Sequence, residues 1–207
     1  MEAAFFQASR VIGNTGKNPP VGCVLVKDSE IVGIGATSIK GRPHAEENAI
    51  SMAGKNAIGA TMYVSLEPCN LENNEKSCTK KILKSGIIKV VIGMLDPNPL
   101  TYKKGYNELT KRKIDVKLIK ISLKNFLINY SHYCFQIKKR PMLALKLATS
   151  IDSKITHGNT KEKWLTSKFA RSHVQQLRGF YDAVLVGTNT MINDNPTLNI
   201  RVEGYNL

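Results

Sequence analysis

Pro43-His44-Ala45-Glu46-Glu47-Asn48-Ala49 and, one apolar run later, Glu67-Pro68-Cys69 with a further thiol at Cys78 decide how this sequence is read. His44, Cys69 and Cys78 offer one imidazole and two thiolates, the ligand set of a catalytic zinc whose fourth position stays open to water. An ion so held lowers the pKa of its water to about 7. Glu46 is a carboxylate placed to take that proton and return it to a ring nitrogen and a leaving amine. The reaction this set predicts is hydrolytic deamination.

The flanking residues put the set at the ends of secondary structure. Met62 to Leu66 (MYVSL) reads as a buried strand, so Pro68-Cys69 falls at its carboxyl end, where sites in open α/β sheets gather. Ser77 is a good N-cap for a helix through Lys80-Lys81-Ile82-Leu83, which places Cys78 in a first turn whose dipole favours a thiolate. His44 opens a helix after Pro43. Two residues apart, His44 and Glu46 share a pocket most easily at a frayed first turn, with Glu46 beside the metal and not bound to it.

Working outward, a helix is predicted over Glu2 to Ile12, then a hairpin of strands Val21–Val26 and Ile31–Ala36 around the turn Lys27-Asp28-Ser29-Glu30. Beyond Cys78 come a strand at Ile87–Gly93, a short helix near Asn107–Lys111 and a strand at Asp115–Ile119. Strands alternating with helices predict a three-layer α/β domain with a mixed sheet. Ser122 to Lys139 reads as one amphipathic, aromatic-rich helix, on which His132 and Cys134 diverge and do not share a metal. At Arg140-Pro141 the composition changes. Met142–Ala148 is predicted as a strand, Ser150 to Ile155 as a turn into a short strand, Trp164-Leu165-Thr166-Ser167 as the cap of a helix through Arg178, and Asp182–Val186 as a buried strand.

Composition narrows the class. The 207 residues suffice for one large domain or one domain plus part of another, and 42% hydrophobic content supports a core. No stretch approaches the roughly 20 apolar residues of a membrane span and no secretory signal opens the chain, so the expectation is a cytoplasmic protein without membrane association. With four cysteines, two of them in the metal motif, disulfides are not expected. The net charge of +14 lies in scattered lysines without interleaved aromatics. It reads first as a solvated surface, next as an attraction for phosphorylated substrate and cofactor, and last as a nucleic-acid surface.

Zinc nucleobase deaminases carry H-x-E followed by P-C-x-x-C. Here eight residues, Asn70 to Ser77, separate the cysteines, which does not fit the generic tRNA-adenosine or cytosine pattern. With Asn18-Pro19-Pro20-Val21-Gly22-Cys23 upstream and Asp96-Pro97-Asn98-Pro99 downstream, essentially the entire chain resembles the RibD family, the bacterial riboflavin-biosynthesis bifunctional deaminase-reductases. That resemblance implies a cytidine-deaminase-like three-layer α/β/α domain followed by an incomplete α/β domain similar to dihydrofolate reductase. The implied organisation is a zinc-dependent deaminase over residues 1–120, a connector over 121–140 and the N-terminal part of a reductase over 141–207. The implied substrate is a small phosphorylated pyrimidine, the diamino-ribosylamino-pyrimidinone phosphate, and the reductase would use NADPH. A homodimer or homotetramer is the usual expectation for the fold that the resemblance implies.

The resemblance also assigns residues. His44, Cys69 and Cys78 would hold zinc, Glu46 would be catalytic and Asn18 would close over the deaminase substrate, with the Asp96–Pro99 loop bordering the pocket. In the reductase part, Ala148, Trp164, Thr190 and Asp194 would lie at NADPH, and Arg178, Leu198 and Arg201 at the ribose-phosphate substrate. Three departures from the family pattern are visible: Leu71 to Lys76 replaces a His-Gly-Arg-Thr-Pro-Pro-like run, Ser153 stands for glycine, and Glu162 stands for a small hydroxyl residue. Residues 141–207 are fewer than the family's reductase domain needs, so reductase activity and tight NADPH binding are not expected of this chain alone. Two other readings stand beside the favoured one. A base deaminase acting on tRNA or a free nucleobase would show salt-dependent tRNA binding, and a noncatalytic zinc scaffold would have no use for Glu46.

Overall fold

The structure is a computed structural model that describes residues 1–70, 77–156 and 164–201. The chain divides into two compact units, Met1–Met142 and Leu143–Leu207.

The first unit is built on one sheet. Strands β1 (Gly22–Lys27) and β2 (Glu30–Ala36) form an antiparallel hairpin, and its turn residues Asp28 and Ser29 have φ of 50° and 66°, the hand that matches strand twist. Strand β3 (Thr61–Leu66) pairs antiparallel with β1 and parallel with β4 (Lys89–Met94), which pairs parallel with β5 (Asp115–Leu118). The order is β2-β1-β3-β4-β5, a mixed sheet. Each parallel step needs a crossover, and α3 (Cys78–Lys84) and α4 (Lys104–Lys111) supply them. Helices α1 (Glu2–Ser9) and α5 (Leu123–Ile128) pack together over one face, and α2 (Ala45–Ala53), α3 and α4 adjoin one another over the other. The predicted three-layer arrangement is therefore present, with Leu25, Met62, Val64, Ile82, Val90 and Ile92 fully buried in its core.

Small residues bring α2 down onto the hairpin. A Cβ on Gly35 would stand 2.1 Å from the carbonyl oxygen of Ala45, so only glycine fits there, and α2 faces it with Ala45, Ala49 and Ala53. This close approach fixes the start of α2, and with it His44.

Elsewhere the structure differs from the sequence expectation. The stretch Ser122 to Lys139 is two helices, α5 and α6 (Tyr130–Lys138), broken at Asn129 with φ −107° and ψ 15°. Phe126, Tyr130 and Tyr133 pack around the break with ring centroids 5.4–6.2 Å apart. Ser77 occupies the N-cap of α3 without a side-chain bond to the helix backbone, because its hydroxyl lies 3.3 Å from that of Thr79.

The second unit holds α7 (Lys168–Arg178) and α8 (Thr188–Asp194) among its described residues. The strands predicted at Met142–Ala148, after Ser153 and at Asp182–Val186 do not form there. An apolar run makes a segment able to be a strand, but a strand exists only when a neighbouring backbone closes its ladder, and among the described residues none does. The expected turn is present: Ser150 N–H donates to the Lys154 carbonyl at 2.9 Å, and Ser153 takes φ 63°, the left-handed region that favours glycine. Ser167 caps α7 as predicted, accepting from Ala170 N–H at 3.2 Å. Glu162 and Leu71 to Lys76 lie outside the described residues. Among those described, no helix is long and apolar enough to cross a membrane.

Candidate active site

The end of β3, the first turn of α3 and the start of α2 meet at one point. His44 is the N-cap residue of α2, Cys69 follows β3 by three residues, and Cys78 is the first residue of α3. Their ligand atoms all lie within 4.8 Å of one another. His44 Nδ1 is 3.3 Å from Cys78 Sγ and 3.7 Å from Cys69 Sγ. The wide spacing between the thiols closes because Thr79 N–H donates to the Cys69 carbonyl at 3.2 Å and the Thr79 hydroxyl to Asn70 Oδ1 at 2.9 Å. The helix start serves the other cysteine than expected: Cys78 N–H, at the positive end of α3, donates to Cys69 Sγ at 3.4 Å.

The electrostatics ask for a cation. The Cys78 thiol, then the His44 ring, hold Cys69 well below the usual thiol range. Cys78 is pushed up by Cys69, by burial and by Glu46, because a second thiolate beside the first is unfavourable. Burial, then the Cys69 sulfur, push the Glu46 carboxyl up to about 7. Three groups able to carry negative charge are thus packed together, with Glu46 only 3% exposed. The bond to Cys69 raises the pKa of His44, whose Nε2 is buried with no hydrogen-bond partner among the described residues. One imidazole and two thiols at mutual ligand distance, lacking a compensating charge, fit a zinc ion.

Other predicted residues fall as follows. Asn18 packs on the turn leading to His44: a Cβ on Gly41 would stand 2.1 Å from Asn18 Nδ2. In the second unit the structure brings Arg178 and Arg201 together, since Arg178 donates to the Asn199 carbonyl at 2.8 Å and Arg201 N–H to Gln175 Oε1 at 3.2 Å. Leu198 is half-buried in the same segment. Thr190 and Asp194 are one turn apart on α8 and both exposed. Ala148 lies half-buried in the extended run before Ser150, and the Arg171 guanidinium sits 4.8 Å above the Trp164 ring.

Sequence reasoning assigned no role to Glu67 and no partner to His132. Glu67, 5% exposed, accepts from three backbone amides: Tyr106 at 3.0 Å on Oε1, and Lys103 at 3.1 Å and Asp96 at 3.2 Å on Oε2. The available signal was a carboxylate ending a buried strand, because a buried charge requires partners. His132 Nε2 lies 3.0 Å from Asp96 Oδ1, a pairing of distant residues that no spacing rule reveals.

Comparison with known proteins agrees with this geometry. The family model for the cytidine and deoxycytidylate deaminase zinc-binding region matches residues 1–94, and that for the RibD C-terminal domain matches residues 141–206. The riboflavin biosynthesis protein RibD of Synechocystis is 44% identical over 192 residues, covering 92% of this chain and 52% of that protein. The Aquifex aeolicus protein of that name is 40% identical over 201 residues, covering 97% and 56%. The solved structure of a Thermotoga maritima diaminohydroxyphosphoribosylaminopyrimidine deaminase/5-amino-6-(5-phosphoribosylamino)uracil reductase superposes with a TM-score of 0.90 at 38% identity, over 99% of this chain and 59% of that one. The chain spans about half the length of the curated relatives it matches. Two successive family matches, and relatives this similar over nearly all of its residues, place the chain in the RibD family of riboflavin biosynthesis proteins.

Proposed function

We propose that residues 1–120 catalyse zinc-dependent hydrolytic deamination of diaminohydroxyphosphoribosylaminopyrimidine, the first of the two activities for which the Thermotoga maritima relative is named. The observation that carries the reading is the meeting of His44, Cys69 and Cys78 at ligand distance with Glu46 buried against Cys78. Zinc held by those three residues would supply water acidified to a pKa near 7. Glu46, buried beside those residues, is placed to accept a proton from that water and to release it again. As water oxygen bonds to the amine-bearing ring carbon, a water proton passes to Glu46 and on to the ring nitrogen. A second transfer through Glu46 protonates the amine, the C–N bond breaks, ammonia leaves and a ring carbonyl remains. Asn18 would close over the substrate from the turn packed beside Gly41.

Residues 121–140 would link this part to a reductase portion beginning at 141, a reading supported by the RibD C-terminal domain match. There Ala148, Trp164, Thr190 and Asp194 would contribute to NADPH binding, and Arg178, Leu198 and Arg201 to the ribose-phosphate substrate. A cytoplasmic homodimer or homotetramer completes the proposal.

Ammonia release from the phosphorylated diaminopyrimidine by the zinc-loaded chain, with tRNA and free cytosine as comparisons, tests it. Release from the pyrimidine phosphate alone is expected, and Glu46→Gln lowers it about 10²–10⁴-fold with zinc retained. Release from tRNA or cytosine instead, or loss of zinc in Glu46→Gln, overturns the substrate or the role.

A further inference from the structure

We infer that Glu67 is a positioning residue of this site: its carboxylate caps α4 from the neighbouring strand and so clamps the turn that carries Cys69. The inference rests on the reading of His44, Cys69 and Cys78 as metal ligands.

Helix α4 lacks a cap of its own. Its N-cap residue is Lys103, in left-handed backbone with φ 59° and no side-chain cap bond. The first amides of a helix need acceptors, and an anionic acceptor there is favoured by the dipole as well. Glu67 supplies both, through Lys103 N–H and Tyr106 N–H, and its remaining contact with Asp96 N–H gathers the far end of the loop onto the same carboxylate.

The cap draws α4 onto the ligand turn. Gly105, in the first turn of α4, lies so close that a Cβ would stand 2.0 Å from the Pro68 carbonyl oxygen, and Asn70 Nδ2 reaches the Lys104 carbonyl at 3.5 Å. Pro68-Cys69-Asn70 is therefore held between β4, whose Met94 carbonyl accepts from Glu67 N–H at 2.8 Å, and the start of α4. The carboxylate is specifically required. Three amides converge on its two oxygens, whereas a carboxamide presents one oxygen and turns an N–H₂ toward donors.

Two readouts on the full chain separate positioning from general stability: the rate at which bound zinc passes to a chelating dye, and the thiolate-to-metal absorption of the cobalt-substituted protein. Glu67→Gln is expected to release zinc about tenfold faster and to shift the cobalt spectrum. Leu25→Ala, which removes core volume on β1, is expected to lower the melting temperature while leaving both unchanged. If Glu67→Gln does not fold, Glu67→Asp serves, because the shorter side chain cannot span all three amides and is also expected to speed release. Wild-type release and spectrum in the folded Glu67 variant overturn the inference, however far its melting temperature falls. A wild-type chain that takes up no zinc fails the ligand reading itself and this inference with it. Neither readout depends on deamination, so failure of the substrate assignment alone leaves the test intact.

Discussion

The two units carry comparable apolar runs and use them differently. In the first, MYVSL becomes β3, paired on both sides, with Met62 and Val64 fully buried. In the second, the alternation Leu143, Leu145, Leu147 lies in a segment without a strand partner among the described residues, and Leu145 is 83% and Leu185 93% exposed. A strand's pattern is local, but its existence is a property of two backbones.

Native-state hydrogen exchange gives the largest expected contrast. Amides of β1, β3 and β4 open only through sub-global or global unfolding and should exchange at least about a thousandfold more slowly than unstructured peptide, whereas those of residues 143–148 and 182–186 should exchange close to the unstructured rate. Comparable protection of both sets would break the contrast and mean that the second unit's strand segments had found a partner, such as another copy of the chain.

The same distinction explains what was legible in advance. The hairpin was readable because Asp28-Ser29 sits between two apolar runs, and the βαβ steps because apolar strand runs alternate with helical stretches along the chain. The grouping of His44, Cys69 and Cys78, with Glu46 beside them, was readable because residue chemistry, rather than geometry, marks a candidate metal set. The break at Asn129 was not, since it depends on three aromatic rings packing around one residue. Nor was the pairing of Asp96 with His132, or the capping of α4 by Glu67, for each joins residues that only the finished sheet brings together.

Core truncation sharpens the comparison next. Leu25→Ala on β1, where the side chain is fully buried, should cost about 3 kcal/mol in urea unfolding followed by circular dichroism. Leu145→Ala should change stability by less than about 0.5 kcal/mol, as an exposed site does. A large cost at Leu145 would show that this leucine is covered in solution.

A smaller effect lies in the polar bracing within the first unit. Burial pushes the Asp96 carboxyl up, but the His132 ring, the Asn98 amide and the Thr101 hydroxyl outweigh it and hold it below the ordinary 3.8. A depressed carboxyl stabilises the fold above its unfolded pKa, and that contribution is lost as pH falls through the folded value. Asp96→Asn should therefore cost about 2 kcal/mol at neutral pH. The difference from wild type should shrink as pH drops below 3.8, and a cost independent of pH would mean that the carboxylate's charge contributes nothing.

The smallest effect asks whether any part of the second unit is specified locally. Helix α7 begins at a side-chain cap, Ser167 Oγ accepting from Ala170 N–H at 3.2 Å, and none of its residues is buried. An eleven-residue helix with no fully buried residue gains less from tertiary packing, so its cap and propensity carry a larger share of its stability than they would in α2, which the sheet supports. Ser167→Ala should remove about 1 kcal/mol from that helix and lower its fractional population, read from carbon chemical shifts along residues 168–178, while β-strand shifts in the first unit stay fixed. Unchanged shifts would mean that α7 is held by contacts instead of by its cap. The second unit would then share the first unit's dependence on distant partners, and the contrast between them would be one of degree.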